Sequence, residues 1–165
     1  MRFLIIFIFI IVHLSVGNEL GYSTSSSFYT HLTYQFQHLN WIHLTFNSIS
    51  FVAFFKILQK VYPGYLIILY TYFISFAVSF FSEYHLPTVG SSAMIYAMIG
   101  LFLSLSIIGD KLHIVNHRKF IVLIIGILVS LIISYYKNSA NNVCHILALV
   151  IGLISGVLDY KFNKA

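Results

Sequence analysis

A serine hydroxyl is a weak nucleophile until a neighbouring base accepts its proton, and histidine is the usual base. This sequence sets such residues in three separate apolar stretches. Asn40, His43, Asn47 and Ser50 are spaced three, four and three apart, which lines them along one helix face. Gly90-Ser91-Ser92-Ala93-Met94-Ile95-Tyr96 opens a second stretch, and Cys144-His145 opens a third. His145 is the candidate base for a serine of the second stretch. Acyl transfer also needs donors aimed at an oxyanion. His43, the Asn47 amide and the Ser92 backbone N–H at a helix start could supply them. The four acidic residues, Glu19, Glu83, Asp110 and Asp159, lie away from these groups, so the chemistry would use a dyad and not a triad. Ser91 competes with Ser92. At a helix start the two side chains point about 100° apart, so at most one faces the base. The plain alternative for Ser92 is a helix cap; His145 and the polar stripe 40–50 argue for chemistry instead.

The elements that must hold these groups are set by composition. Of 165 residues, 59% are apolar and 8% charged, against a usual charged fraction of about 25%. A chain this short has too little core to hide that much apolar surface, so most of its solvent must be lipid. The basic residues are scattered, with no patch that would suit nucleic acid. Stretches free of Asp, Glu, Lys and Arg predict helices near 3–17, 38–60, 64–82, 89–108, 119–137 and 142–159. Pro63 and Pro87 fall in connections, where helices stop. Residues 1–17 could instead be a signal peptide, with Arg2, an apolar run and a small-residue end at Ser15–Gly17. The length of the run and the parity of the spans favour its retention. With six spans, Arg2, Lys56, Lys60, Lys111, Arg118, Lys119, Lys161 and Lys164 share one side, and only Lys137 lies on the other. The excess of positive charge then puts both termini in the cytoplasm. The fold class expected is an all-α membrane protein, a single domain over 1–165 with six spans.

A depth check asks whether the polar groups can meet. His43 precedes Lys60 by 17 residues and so lies about 26 Å above it along a helix. On the same rise Asn47 lies about 20 Å above Lys60, Ser92 about 28 Å above Lys111, and His145 about 24 Å above Lys161. Three helices running from outside to inside therefore bring their polar groups to one level. That level is slightly below the outer surface of a hydrocarbon core ~30 Å thick.

The pattern resembles the rhomboid family of intramembrane serine proteases over roughly residues 34–160. The residues that carry the resemblance are His38-Leu-Asn-Trp-Ile-His43-Leu-Thr-Phe-Asn47, Gly90-Ser91-Ser92 with Tyr96, and His145 followed by Ala148 and Gly152. The resemblance implies Ser92 as nucleophile, His145 as base, and His43 and Asn47 in the oxyanion hole. Tyr96 would pack on the His145 ring, and it shares a helix face with Ser92. His38, near the outer surface, could hydrogen-bond within the site. The resemblance also implies lateral substrate entry near the fifth helix and a mobile cap over 138–142, where Asn138, Ser139, Ala140 and Asn141 are small and polar. Three departures stand out. Ala93 follows the nucleophile where many members have glycine, Ala148 stands at a frequent glycine, and the loop 18–34 lacks the family's common Trp-Arg pair. The chain reads as a minimal six-helix bacterial-type member. The His-Leu-Asn-Trp stretch is also similar to rhombosortases, a subgroup that processes sorting-signal tails.

The function expected is hydrolysis of peptide bonds in or near transmembrane segments of membrane proteins by a Ser-His dyad, in the bacterial inner (plasma) membrane. Its partners would be transmembrane protein substrates and the lipid bilayer, with no nucleic acid and no cofactor or metal. The alternative is a catalytically silent rhomboid-like protein that binds membrane helices, though both Ser92 and His145 are present. Other intramembrane proteases fit poorly. No His-Glu-x-x-His motif exists, and Asp110 and Asp159 both lie at inner helix ends. A zinc site from His31, His38 and His43 would lack a carboxylate. A transporter would need a through-going polar path, which the apolar lower halves, such as Phe51–Phe55, do not offer. His13 is expected at a helix contact, His31 and His85 at the interface, and Cys144 as a small packed residue.

Overall fold

A computed structural model describes residues 2–82, 85–107, 121, 124–129, 132 and 141–162. Among the described residues the regular structure is helical, apart from one antiparallel bridge between Tyr22 and Thr88. The helices are α1 (Arg2–Ser15), α2 (Tyr29–Thr33), α3 (Trp41–Leu58), α4 (Gly64–Ser79), α5 (Ser92–Ile107) and α6 (Asn142–Phe162). Short 3-10 turns at Asn18–Leu20 and Tyr34–Phe36 flank α2. The span expected near 119–137 falls largely outside the described residues, and positions 121, 124–129 and 132 are helical. In α3 and α6, Trp41–Leu58 and Asn142–Asp159 are long and apolar enough to cross a membrane; α1, α4 and α5 are shorter apolar helices.

Two helix starts differ from expectation, each for a local reason. The helix expected from residue 38 begins at Trp41, because Asn40 is extended and its side chain accepts a hydrogen bond from the His43 N–H. Asn40 is thus a cap, not a member of the polar stripe. The helix expected from 89 begins at Ser92. Thr88 is tied to Tyr22, and Gly90 has φ +111°, a backbone conformation that a helix cannot contain. Pro63 opens α4, where its fixed φ and missing N–H do no harm.

The centre of the bundle is α5, buried from Ala93 to Phe102. From Ala97 to Gly100 it meets α6 with almost no side chain between them. A Cβ on Gly100 would lie 2.2 Å from the Leu149 carbonyl oxygen, and one on Gly152 would lie 2.3 Å from that of Ala97. Close backbone approach of this kind lets helices associate where burying apolar side chains gives no advantage over lipid. On the other side of α5 stands α3, contributing buried Phe51, Phe54, Phe55 and Leu58. Peripheral α1 is anchored through fully buried Phe9, which meets Phe51 edge-on with ring centroids 6.0 Å apart. Large apolar side chains point outward from several helices, among them Phe3 and Phe7 of α1, Ile42 and Phe46 of α3, and Tyr65 and Phe73 of α4. A helical bundle with its backbone groups paired internally and its outer faces apolar suits a lipid solvent.

The segment 17–36 is buried far more than a surface loop would be. Tyr22, Tyr34 and Gln35 are all but inaccessible. The Tyr34 hydroxyl donates to the Ser75 carbonyl at 2.9 Å, and the Tyr72 hydroxyl to that of Leu32 at 3.0 Å. Burial raises the Tyr22 and Tyr34 phenols above their ordinary range, so both keep their hydroxyl protons. His31, expected at the interface, is instead buried. Its ring stacks on Phe80 at 4.4 Å and on Tyr22 at 5.0 Å, and Nδ1 lies 2.8 Å from Ser79 Oγ. Because Ser79 Oγ donates to the Phe76 carbonyl, the imidazole is the donor in that pair.

Candidate active site

The first residue of α5 meets the first turn of α6. Ser92 Oγ lies 2.8 Å from His145 Nε2, although the two are 53 positions apart. Ser92 is half-buried and His145 is buried. For Nε2 to accept the hydroxyl proton, the imidazole must carry its own proton on Nδ1. Among the described residues that buried Nδ1 has no hydrogen-bond partner and no carboxylate behind it. Aromatic stacking orients the ring instead. The Tyr96 ring lies parallel to the imidazole within 20°, with centroids 4.5 Å apart. Tyr96 reaches this position because it stands one helical turn below Ser92 on the same face.

Ser91 goes elsewhere. It is fully buried, and its hydroxyl lies 3.5 Å from His38 Nε2. The two adjacent hydroxyls diverge as a helix start requires. His38 is buried, and its ring packs edge-on against His43 at 5.3 Å and near Phe9 at 5.1 Å. His38 thus touches Ser91 and His43 but not the Ser92–His145 pair. Its carbonyl oxygen accepts from His13 Nδ1 at 3.1 Å, and the His13 ring meets Trp41 edge-on at 4.6 Å. His13 is therefore a helix-contact residue, joining α1 to the entrance of α3.

Across from the serine, α3 presents His43 and Asn47 to the turn before α5. A Cβ on Gly90 would lie 2.7 Å from His43 Cε1, 3.0 Å from His43 Nε2 and 3.2 Å from Asn47 Nδ2. Glycine is required here twice over, by positive φ and by this approach. The Gly90 N–H is taken by the Tyr34 carbonyl at 2.9 Å, which fixes the turn from the side of the buried loop. His43 Nδ1 accepts from the Leu39 N–H at 3.4 Å, leaving the ring proton on Nε2, the nitrogen that faces Gly90. Asn47 is buried, and its Nδ2 makes no hydrogen bond among the described residues. Two donors beside a serine–histidine pair are what a developing oxyanion would engage.

One residue that matters to this geometry is not found by helical spacing. Asn141 was expected in a mobile cap over 138–142. Residues 138–140 lie outside the described residues, but Asn141 is buried and held on several sides. Its Oδ1 accepts from the Cys144 N–H at 3.1 Å, capping α6, and its Nδ2 reaches Thr88 Oγ1 at 3.1 Å and the Tyr22 hydroxyl at 3.2 Å. Position just before an apolar run is the one sequence signal that marks it, as a helix cap. Cys144 is fully buried, 3.9 Å from the Tyr34 hydroxyl, as expected of a small packed residue. Among the described residues, no three His, Cys, Asp or Glu side chains gather as metal ligands would.

Comparison with known proteins bears on the same region. Residues 25–162 match the Rhomboid domain family. The chain is also similar to the Rhomboid protease GlpG of Haemophilus influenzae, at 24% identity over 142 residues, covering 84% of this chain and 73% of that protein.

Proposed function

The chain belongs to the rhomboid family of membrane-embedded proteases, and from that premise we propose that it is an intramembrane serine endopeptidase working through Ser92 and His145. The reading rests above all on the 2.8 Å approach of Ser92 Oγ to His145 Nε2. Rhomboid proteases act on membrane proteins within the bilayer, so the substrate would be a peptide bond in or beside a transmembrane segment.

The steps follow from the groups present. His145 Nε2 takes the Ser92 proton as Oγ attacks the scissile carbonyl. The resulting oxyanion accepts hydrogen bonds from Asn47 Nδ2, His43 Nε2 and the Ser92 N–H at the start of α5. His145 then returns the proton to the leaving amine, and the acyl group stays on Ser92. Water then attacks the acyl carbonyl as His145 takes its proton, and the imidazolium returns that proton to Ser92 Oγ as the acyl–oxygen bond breaks and the acid product leaves. Tyr96 keeps the imidazole in plane through both transfers, the task a carboxylate performs in a triad. His38 supports His43 and Ser91 and takes no proton in this scheme.

We read the whole chain as one six-span domain, with both termini cytoplasmic, in a bacterial inner membrane. The eight-to-one distribution of basic residues supports that orientation. Under it the Ser92–His145 pair lies below the outer surface, and water reaches it from the outside.

The test uses purified protein in liposomes with a panel of single-span membrane proteins. The wild type cleaves at least one of them, and Ser92→Ala and His145→Ala do not. Cleavage that survives Ser92→Ala would overturn the assignment and return Ser92 to a helix cap.

A further inference from the structure

We propose that Asn141 is a positioning residue that sets the separation of Ser92 and His145, by joining the segment that delivers the serine to the helix turn that delivers the histidine. The inference rests on the dyad reading above.

Helix packing alone leaves that separation loosely defined. The close backbone contacts between α5 and α6 are at Gly100 and Gly152, two helical turns or so inward of the pair. At the outer ends, something else must hold the two helix starts together. Asn141 touches the first turn of α6 and Thr88, four residues before α5 begins. On the α6 side its Oδ1 accepts from the Cys144 N–H at 3.1 Å, and its main-chain oxygen accepts from the His145 N–H at 3.2 Å. The first turn of α6, and with it the His145 backbone, is built on this residue. On the α5 side its Nδ2 lies 3.1 Å from Thr88 Oγ1. Thr88 exchanges backbone hydrogen bonds with Tyr22 at 2.8 and 3.2 Å, and two residues later the chain turns at Gly90 into Ser92. Nδ2 also reaches the Tyr22 hydroxyl and the Ser82 carbonyl, which ties the clamp to the buried loop and to the chain just beyond α4.

The residue type fits this use. Asparagine carries an acceptor and a two-hydrogen donor on one short arm. Aspartate could cap α6 but would bring no donor to Thr88 and Ser82, and a serine hydroxyl used as the cap is too short to reach them. Glutamine would carry its acceptor away from the Cys144 N–H.

Two substitutions separate clamping from capping. Asn141→Ser keeps a cap acceptor and cannot reach Thr88. Thr88→Val removes the hydroxyl at nearly constant volume and leaves the α6 cap intact. Thr88→Ser restores the hydroxyl. The readout is inactivation of the full chain in liposomes by a fluorophosphonate probe, with kinact and KI resolved separately and the thermal midpoint measured alongside. Misplacing a catalytic pair by about 1 Å costs on the order of 100-fold. Asn141→Ser and Thr88→Val should each lower kinact by about 10- to 100-fold, with KI and the thermal midpoint little changed. Thr88→Ser should react like the wild type. The double variant should be no slower than the slower single one, because both break the same link. The proposal is overturned if folded Thr88→Val reacts at the wild-type rate, if the losses multiply in the double variant, or if kinact only follows the thermal midpoint. Failure of the dyad reading looks different: Ser92→Ala would then still be labelled, which no clamp variant can cause.

Discussion

In the proposed orientation, the outer and inner halves of the α3–α5–α6 bundle are held by opposite means. In the outer half polar side chains meet across helices: Asn47 and His43 beside Gly90, Ser92 on His145, and Asn141 on Thr88 and Tyr22. In the inner half the helices touch where side chains are missing, with Gly100 against Leu149 and Gly152 against Ala97, while Phe51, Phe54 and Phe55 fill the α3 side. A hydrogen bond fixes a distance and a direction, which a reaction needs. Backbone contact gives dispersion over many atoms, which stability needs where the solvent is lipid. The difference teaches that substitutions in the two halves should fail in different measurements.

The largest effect belongs to the outer half. Ser92→Ala and His145→Ala should each lower turnover on the order of 10⁴–10⁶-fold while leaving the thermal midpoint almost unchanged. Fluorophosphonate labelling at Ser92 should vanish in His145→Ala, because the hydroxyl then lacks its base. A His145 variant that still labels would mean that the serine is activated some other way.

Asn47→Ala comes next, slowing turnover by about 10²–10³-fold at unchanged substrate affinity. Wild-type turnover in this variant, scored by gel-based cleavage, would make Asn47 a structural residue that bridges helices.

Gly100→Ala and Gly152→Ala reverse the pattern. Each drives a methyl group into backbone of the opposing helix, and overpacking of this kind costs typically about 1–3 kcal/mol. Unfolding followed by differential scanning fluorimetry should show a lower midpoint, while kinact per active site holds near the wild-type value. Equal loss of rate and stability would erase the division between the halves.

The smallest effect is expected at Ser91. Its contact with His38 is long, at 3.5 Å, and it does not face His145, so Ser91→Ala should retain most activity. Full loss in Ser91→Ala, with Ser92→Ala active, would invert the assignment of the two hydroxyls.

Helical spacing and depth explain why a meeting of the serine and histidine stretches was legible, while in the sequence the choice of Ser92 over Ser91 came from the family resemblance. Ser92 and Tyr96 share a face by period alone, and equal depth from the inner lysines places His145 level with them. His43 and Asn47 follow from the same reasoning, one turn apart on α3. The register of Asn40 was not legible, because a polar residue at the edge of an apolar run reads equally well as the last helical position or the cap. The burial of His31 was not legible, because the segment 17–36 has the polar composition of a surface loop, while Ser79, Phe80 and Tyr22 close over the ring. Asn141 stayed hidden because its partner Tyr22 is 119 positions away.

Among the described residues, the sequence by itself determined which apolar stretches are helical, their order and the residue types that come together, since these depend on composition and on the 3.6-residue period. Only the tertiary structure decided which serine faces the histidine, that Gly90 lets the chain pass directly over His43 and Asn47, and that Asn141 joins the first turn of α6 to Thr88 and to Tyr22 of the buried loop. The physical reason is range. Periodicity constrains neighbours within a turn or two, whereas a 2.8 Å contact between positions 92 and 145 is fixed only when distant segments pack and their hydrogen bonds close.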